Sequence, residues 1–316
     1  MLSNWKPFLY GAAFGGTASR GALRLADWVE ERGDGPTCVK IVMAGNIEAD
    51  GGFAPSQRLN VKSLERQLSK AFATPRAKAV VLEINSPGGS PAQANLLHAR
   101  LQALRRDHAD VELLCFATDC VASGGYYVAA AADEIFVLPS TLVGSIGVIS
   151  PSVGLVEVMA KCGIEDRTLT AGDSKAGDNP LAPRDADAVA RKKAMLLELH
   201  GDFMQKVADG RGDRLQHGLA RDYAAKCGVE VPPLALFDGS VYCGVRAVEF
   251  GLADALYSDV HDSLKLRYGA DVRVTELKMR TGVVDKLLDA AEMAGASAVR
   301  AAVAEAKATL RGRATP

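Results

Sequence analysis

From residue 37 onward the chain alternates short β-branched apolar runs with stretches of helical spacing. CVKIVMAG (38–45) reads as a strand and is followed by a Gly/Asp-rich turn, EADGG. VKSLERQLSKAFA (61–73) has its apolar positions at helical spacing, and AKAVVLEIN (77–85) is a short apolar run typical of a buried strand. The segment SPGGSPAQANLLHARLQALRR predicts a turn and then a helix, with Ser90 as N-cap, Pro91 at the first helical position and Gln93 completing an S-x-x-Q capping box. VELLCFAT (111–118) is the next strand, SGGYYVAAAAD (123–133) a turn entering a short helix, and EIFVLP (134–139) a further strand. Strands alternating with helices predict crossover connections and a largely parallel sheet covered on both faces.

Residues 184–222 are charged with helical spacing, and 231–262 carry another short β/α stretch. The Ala-rich tail after about residue 282 predicts a helix. No tandem repeat is evident. This divides the chain into an N-terminal segment (1–36), an α/β core (37–265) and a C-terminal strand and helical extension (266–316). Residues 7–19 (PFLYGAAFGGTAS) are small or apolar but fewer than the roughly 20 that a membrane-spanning helix needs. With Lys6, Arg20 and Arg24 and no acid before Asp27, the segment suits a weak membrane-surface or organelle-targeting role, or simply a frayed lead into the helix ALRLADWVEE.

Charge and composition narrow the classes. With 37 basic against 38 acidic side chains in 316 residues, the net charge of −1 argues against a generic nucleic-acid binder. The 48 % hydrophobic content excludes disorder as the main state. Six cysteines (Cys38, Cys115, Cys120, Cys162, Cys227, Cys243) show no CxxC spacing, so neither a structural zinc site nor a disulfide framework is expected and a reducing, intracellular compartment is.

Two glycine-rich turns, Ser86-Pro87-Gly88-Gly89-Ser90 and Ala122-Ser123-Gly124-Gly125-Tyr126-Tyr127, each follow a strand and open a helix. In a parallel sheet this puts both at the carboxyl ends of strands, where such folds build their sites. Outward-turned amides at a helix start can hold an anion or a developing oxyanion. Neither turn carries a phosphate-binding fingerprint. A nucleophilic Ser123 needs a base, and no histidine lies between His108 and His200. His98 falls on the capped helix, and His108, His200, His217 and His261 lie in polar stretches. Lysine is the alternative, provided it is neutral. That requires a pKa lowered from about 10.4 towards about 7–8, for roughly 4 kcal/mol. Most lysines sit in charged helices. Lys175, in the Gly-rich loop of TLTAGDSKAGDNPLAP, stays open as a candidate.

Taken together, EINSPGGSPAQA, DCVASGGYYVAAAADEIFVLPSTLVGSIGVI, TAGDSKAGDNPLAP and GSVYCGVRAVEFGLADAL resemble the signal peptide peptidase A family of Ser–Lys serine proteases, over about residues 38–290. The resemblance implies an α/β fold of the crotonase/Clp-protease type, a parallel-sheet core with helical extensions. It implies Ser123 as nucleophile, Lys175 as general base, Ser145 (in VGSIGV) as the hydroxyl that holds the lysine amine, and the backbone of Gly88 or Gly89 as oxyanion hole. No metal or organic cofactor is implied. The expected function is an endopeptidase that cleaves signal-peptide-like or unfolded hydrophobic peptides through an acyl-enzyme.

The family's short form implies a homo-oligomeric ring whose adjacent protomers share active sites, with membrane association as an option and no nucleic-acid partner. Two departures stand out: a short, doubtful N-terminal anchor, and a long segment QHGLARDYAAKCGVEVPPLALFDGS before the last motif. A crotonase-like acyl-CoA enzyme would use the amides without a Ser–Lys pair, and a non-catalytic peptide-binding scaffold would need neither. The small residues Val121, Ala122 and Val143 near the motifs predict small or apolar residues beside the scissile bond. Arg211-Gly212-Asp213 is read as a helix end, Arg191-Lys192-Lys193 as a solvated helix face, and Tyr126 and Tyr127 as helix packing with one of them free to line the groove.

Overall fold

The computed structural model describes residues 35–49, 58–172 and 174–277. The N-terminal anchor-like segment and the predicted C-terminal helix lie outside the described residues. Eight strands form one sheet with the order β6-β5-β3-β2-β1-β8, while β4 joins β3 and β7. Every pairing is parallel except β5–β6. Central strand β2 (Ala77–Ser86) is buried almost without interruption, as expected where helices cover both faces. Strands β1 (Thr37–Ala44) and β8 (Arg273–Glu276) extend one edge. This is an α/β fold with a parallel-rich sheet.

Helix α1 (Val61–Phe72) is fixed at its start by a reciprocal capping box between Asn60 and Ser63, and it buries Leu64, Leu68, Ala71 and Phe72 along one stripe. Helix α2 (Pro91–Asp107) begins with Ser90 as cap and Pro91 in the first turn. Only half of its expected capping box forms. Ser90 Oγ accepts from the Gln93 N–H, but the Ser90 N–H is taken by the Ile47 carbonyl at 2.7 Å, so Gln93 has nothing to return to. That bond ties the SPGG turn to the end of β1.

Strand β3 (Glu112–Ala122) runs further than its sequence suggests and bends on the way. Its register against β2 steps from Ile84↔Ala117 to Ser86↔Val121, so β3 carries extra residues between. Before the bend β3 pairs with β4 (Glu134–Val137); after it, with β5 (Leu142–Gly144). The buried Thr141 hydroxyl donates to the carbonyls of Ala117 and Thr118 at the bulge, and the Tyr257 hydroxyl donates to Ala117 as well. The bend delivers Ser123 and the short helix α3 (Gly124–Ala129) away from the main sheet.

After the short exposed helix α4 (Val156–Lys161), the 26-residue helix α5 (Ala186–Arg211) buries only Phe203, Val207 and Arg211, all from its second half. Arg211 ends the helix, but not as a solvated residue. It is fully buried, pairs with both oxygens of Asp254 at 2.7 and 3.0 Å, and donates to the Gly251 carbonyl. Helix α6 (His217–Lys226) lies in the unexpectedly long segment, which also plugs Leu236 and Phe237 into the core. Strand β6 (Val241–Cys243), helix α7 (Gly244–Glu249), strand β7 (Ala255–Leu256) and helix α8 (Val260–Tyr268) complete the described elements.

The segment between β5 and the middle of α5 stands off the core. Helix α4 buries no residue, and Ile149 and Leu169 are 85 % and 96 % exposed. Val153, Val158, Ile164, Met195 and Leu197 are exposed as well. Among the described residues, an arm this apolar without a core of its own leaves a large unpartnered face.

Candidate active site

Ser123 sits between β3 and α3 with φ 50° and ψ −126°. A non-glycine residue in that region stores about 1–3 kcal/mol of backbone strain, a pattern that recurs where a nucleophile is held on a sharp strand-to-helix turn. The turn is locked by its own hydrogen bonds: the Ser123 N–H donates to the Gly144 carbonyl at 2.8 Å, and the Ser123 carbonyl accepts from Tyr127. The serine precedes a helix yet makes no side-chain cap to it, so its hydroxyl is not consumed locally.

The SPGG turn packs directly against this residue. A Cβ on Gly88 would stand 2.7 Å from the Ser123 Cβ and 2.6 Å from the Gly124 nitrogen, so only glycine permits the approach. Gly88 and Gly89 have φ 102° and 145°, values that also favour glycine. The two amides differ in their commitments. The Gly88 N–H donates to Ser86 Oγ at 3.2 Å. Among the described residues the Gly89 N–H carries no hydrogen bond, and neither does the Gly124 N–H. The Gly89 nitrogen lies 3.3 Å from where a Cβ on Gly124 would stand, so the two open amides are neighbours beside Ser123. Sequence reasoning missed Gly124. The signal was available, because the first N–H groups of a helix have no partner within it.

Ser145 joins the site through the backbone. It follows Gly144, whose carbonyl holds the Ser123 N–H, and it too has a positive φ, 52°. Its own N–H donates to the Ser240 carbonyl at 2.7 Å. Lys175 stands apart: it lies in the exposed loop of the arm, and its N–H donates to the Gly172 carbonyl. It is not among the residues lining the cavity beside Ser123. The structure therefore groups Ser123, Gly88, Gly89 and Ser145 within one protomer and leaves Lys175 outside.

That cavity, of about 500 Å³, opens between α2, α3 and α5. Its walls include Leu96, Tyr127, Ile149, Leu199 and Phe203. The small residues expected to shape it do not. Val121, Ala122 and Val143 are buried in the sheet, because strand residues at the end of β3 and β5 point into the core, and the walls come from helices instead. Of the two tyrosines, Tyr126 is fully buried and donates to the Leu252 carbonyl, whereas Tyr127 lines the cavity.

No histidine lines the cavity either. His200 bonds the Ile146 carbonyl at 3.1 Å, and His98 lies behind Tyr127, edge to face at 5.4 Å. Burial, reinforced by Lys206, lowers the His98 pKa to about 4. An unfolded His98 would take up a proton near pH 6.5, so this group favours the folded state above that pH and its contribution is lost as pH falls towards 4. The shift corresponds to at most about 3 kcal/mol at about 1.36 kcal/mol per pH unit. Urea unfolding between pH 7 and pH 4.5 should show this loss, and His98→Gln should flatten the slope; an unchanged slope in the variant would assign it to other groups.

A strained, uncapped serine beside two open amides on a parallel α/β sheet defines a protein with the geometry of acyl-transfer enzymes. Comparison with known proteins specifies which. A family model described as peptidase family S49 matches residues 106–221. The chain is 28 % identical over 244 residues to a putative signal peptide peptidase SppA of Enterococcus faecium, covering 75 % of this chain and 65 % of that one. It is 27 % identical over 172 residues to the chloroplastic serine protease SPPA of Arabidopsis thaliana, covering 50 % of this chain and 25 % of that one. These similarities support an S49 peptidase of the signal peptide peptidase A type.

It is also 36 % identical over 268 residues to a Brucella abortus protein named Na(+)/H(+) antiporter NhaA, which covers 85 % of this chain but 34 % of that protein. The chain thus spans about a third of the length of the first relatives it matches. Among the described residues no helix is long and apolar enough to cross a membrane. A solved structure of the 1510-N membrane-bound stomatin-specific protease, a mutant in complex with a substrate peptide, is 15 % identical with a TM-score of 0.44, covering 81 % of this chain and 97 % of that one.

Proposed function

We propose that the chain is a serine endopeptidase that cuts signal-peptide-like or unfolded hydrophobic peptides through a Ser–Lys dyad. Ser123 Oγ attacks the scissile carbonyl carbon while its proton passes to the neutral amine of Lys175. The resulting oxyanion is held by the N–H groups of Gly89 and Gly124, each such donor being worth about 3–4 kcal/mol in comparable enzymes. The lysine returns the proton to the leaving amine, which gives an acyl-enzyme. Water then attacks the ester, giving its proton to Lys175, and Ser123 is regenerated. The Ser145 hydroxyl accepts a hydrogen bond from the lysine amine and keeps it in line.

The observation that carries this reading is Ser123 itself: strained, uncapped and beside two amides without a hydrogen bond among the described residues. A crotonase-like enzyme would use the amides but has no need of the strained serine, and a peptide-binding scaffold needs neither. The position of Lys175 supports a shared site. Among the described residues, the apolar side chains of the arm that carries it have no cover, and no lysine lines the cavity of its own Ser123. A neighbouring copy that packs on the arm would bury those residues and bring its own serine to this lysine.

A fluorophosphonate probe tests the nucleophile. Wild-type protein should be labelled at Ser123 within minutes, and Ser123→Ala should not be labelled at all. Folded wild-type protein that resists the probe would support the scaffold instead.

A further inference from the structure

We infer that Asp202 tunes the cavity beside Ser123 to accept a long substrate side chain with an apolar stem and a cationic head, of the lysine type. This rests on the proposed peptidase reading and goes beyond it, because the peptidase reading alone predicts apolar substrates.

Among the described residues that line the cavity, Asp202 is the one charged side chain. Its Oδ2 accepts the Tyr127 hydroxyl at 2.6 Å and the Asn95 amide at 3.3 Å. Among the described residues its Oδ1 accepts nothing. The carboxylate is therefore anchored on one oxygen and open on the other.

The anchor is itself rigid. Asn95 also donates to the Tyr127 oxygen at 2.8 Å, and the Tyr127 ring packs on Phe203 at 5.1 Å. Burial and the adjacent carboxylate raise the Tyr127 pKa, so the phenol remains a donor.

Asp202 makes no ion pair among the described residues. Lys206, one turn along α5, and Arg105 line a separate polar cavity on the far side of Asn95, where Arg105 is engaged by Asp133. Asp202 is itself exposed, so a cation whose stem lies along Leu96, Leu199 and Phe203 meets an unpaired carboxylate oxygen at the rim of the cavity. A purely aliphatic side chain would fill the same walls but gain nothing from that oxygen, which would stay with water.

Lysine and norleucine share their stem and differ in the terminal charge, which isolates the effect. The probes are acetyl-Ala-Ala-Lys-Ala-Ala-amide and its norleucine counterpart, followed for hydrolysis with wild-type protein and for binding, by calorimetry, with Ser123→Ala. The lysine peptide should be favoured at least tenfold in both assays. Asp202→Asn should bring the ratio to within threefold of one. Asp202→Lys should favour a glutamate peptide over the lysine peptide, a gain that a misfolded variant cannot produce.

Equal or inverted preference in the wild type, or a preference untouched by Asp202→Asn, overturns the assignment. Cleavage of norleucine peptides without lysine preference would defeat this inference and leave the peptidase intact. Asp202-dependent binding without any cleavage would defeat the peptidase and leave the pocket assignment standing.

Discussion

Lys175→Arg should lower turnover of a peptide substrate by about a thousandfold or more while the protein remains folded. The reasoning is chemical. Arginine keeps the positive charge and most of the length, but its guanidinium does not give up a proton in a protein, so it cannot act as a base. Loss of charge pairing or of loop packing would therefore be largely repaired by this substitution; loss of base catalysis would not. The fold should tolerate the change because Lys175 is exposed and sits in a loop of the arm, away from the sheet. Exposed substitutions of this kind usually alter stability by no more than about 0.5 kcal/mol. Steady-state kinetics beside a thermal melt distinguish the cases. A variant within about tenfold of wild-type activity would remove Lys175 from the mechanism and reopen the search for the base.

Much of this architecture was legible in the order of residues, and its gaps have physical causes. The strand and helix segments from Cys38 to Val137 appear where periodicity places them, because runs such as AKAVVLEIN are buried on both faces and have little alternative. The bend in β3 was not legible. It depends on Thr141 reaching back to the carbonyls of Ala117 and Thr118, a long-range contact that no local pattern announces. Arg211 shows the same limit: the helix end was legible at Arg211, but its burial against Asp254, 43 residues on, was not.

At the site, the glycine turns and Ser123 stood out because their chemistry is local to a strand–turn–helix unit. The cavity walls did not. The walls nearest the motifs, in α2 and α3, follow the two glycine turns directly, but Leu199, Asp202 and Phe203 come from α5, about a hundred residues beyond α2, and only the fold brings them there. Lys175 is an intermediate case. Its loop composition marked it, but nothing in one chain says which serine it serves.

That question has a decisive experiment. If Ser123 of one protomer works with Lys175 of its neighbour, two dead variants should revive each other. Ser123→Ala protomers retain the lysine, and Lys175→Ala protomers retain the serine. After the two are unfolded together and refolded in equal amounts, random association around a ring would give about a quarter of interfaces an intact pair, and hence about a quarter of wild-type activity. A site built within one chain always keeps one defect, so its mixture stays dead at every ratio. Tags on the two variants can establish that they share assemblies. Revival is expected because the arm that carries Lys175 exposes Ile149, Val153, Val158 and Leu169, while among the described residues no lysine lines the cavity of Ser123. Co-assembled protein that remains inactive would place both residues in one site of one chain, and would require the arm to fold back onto its own Ser123.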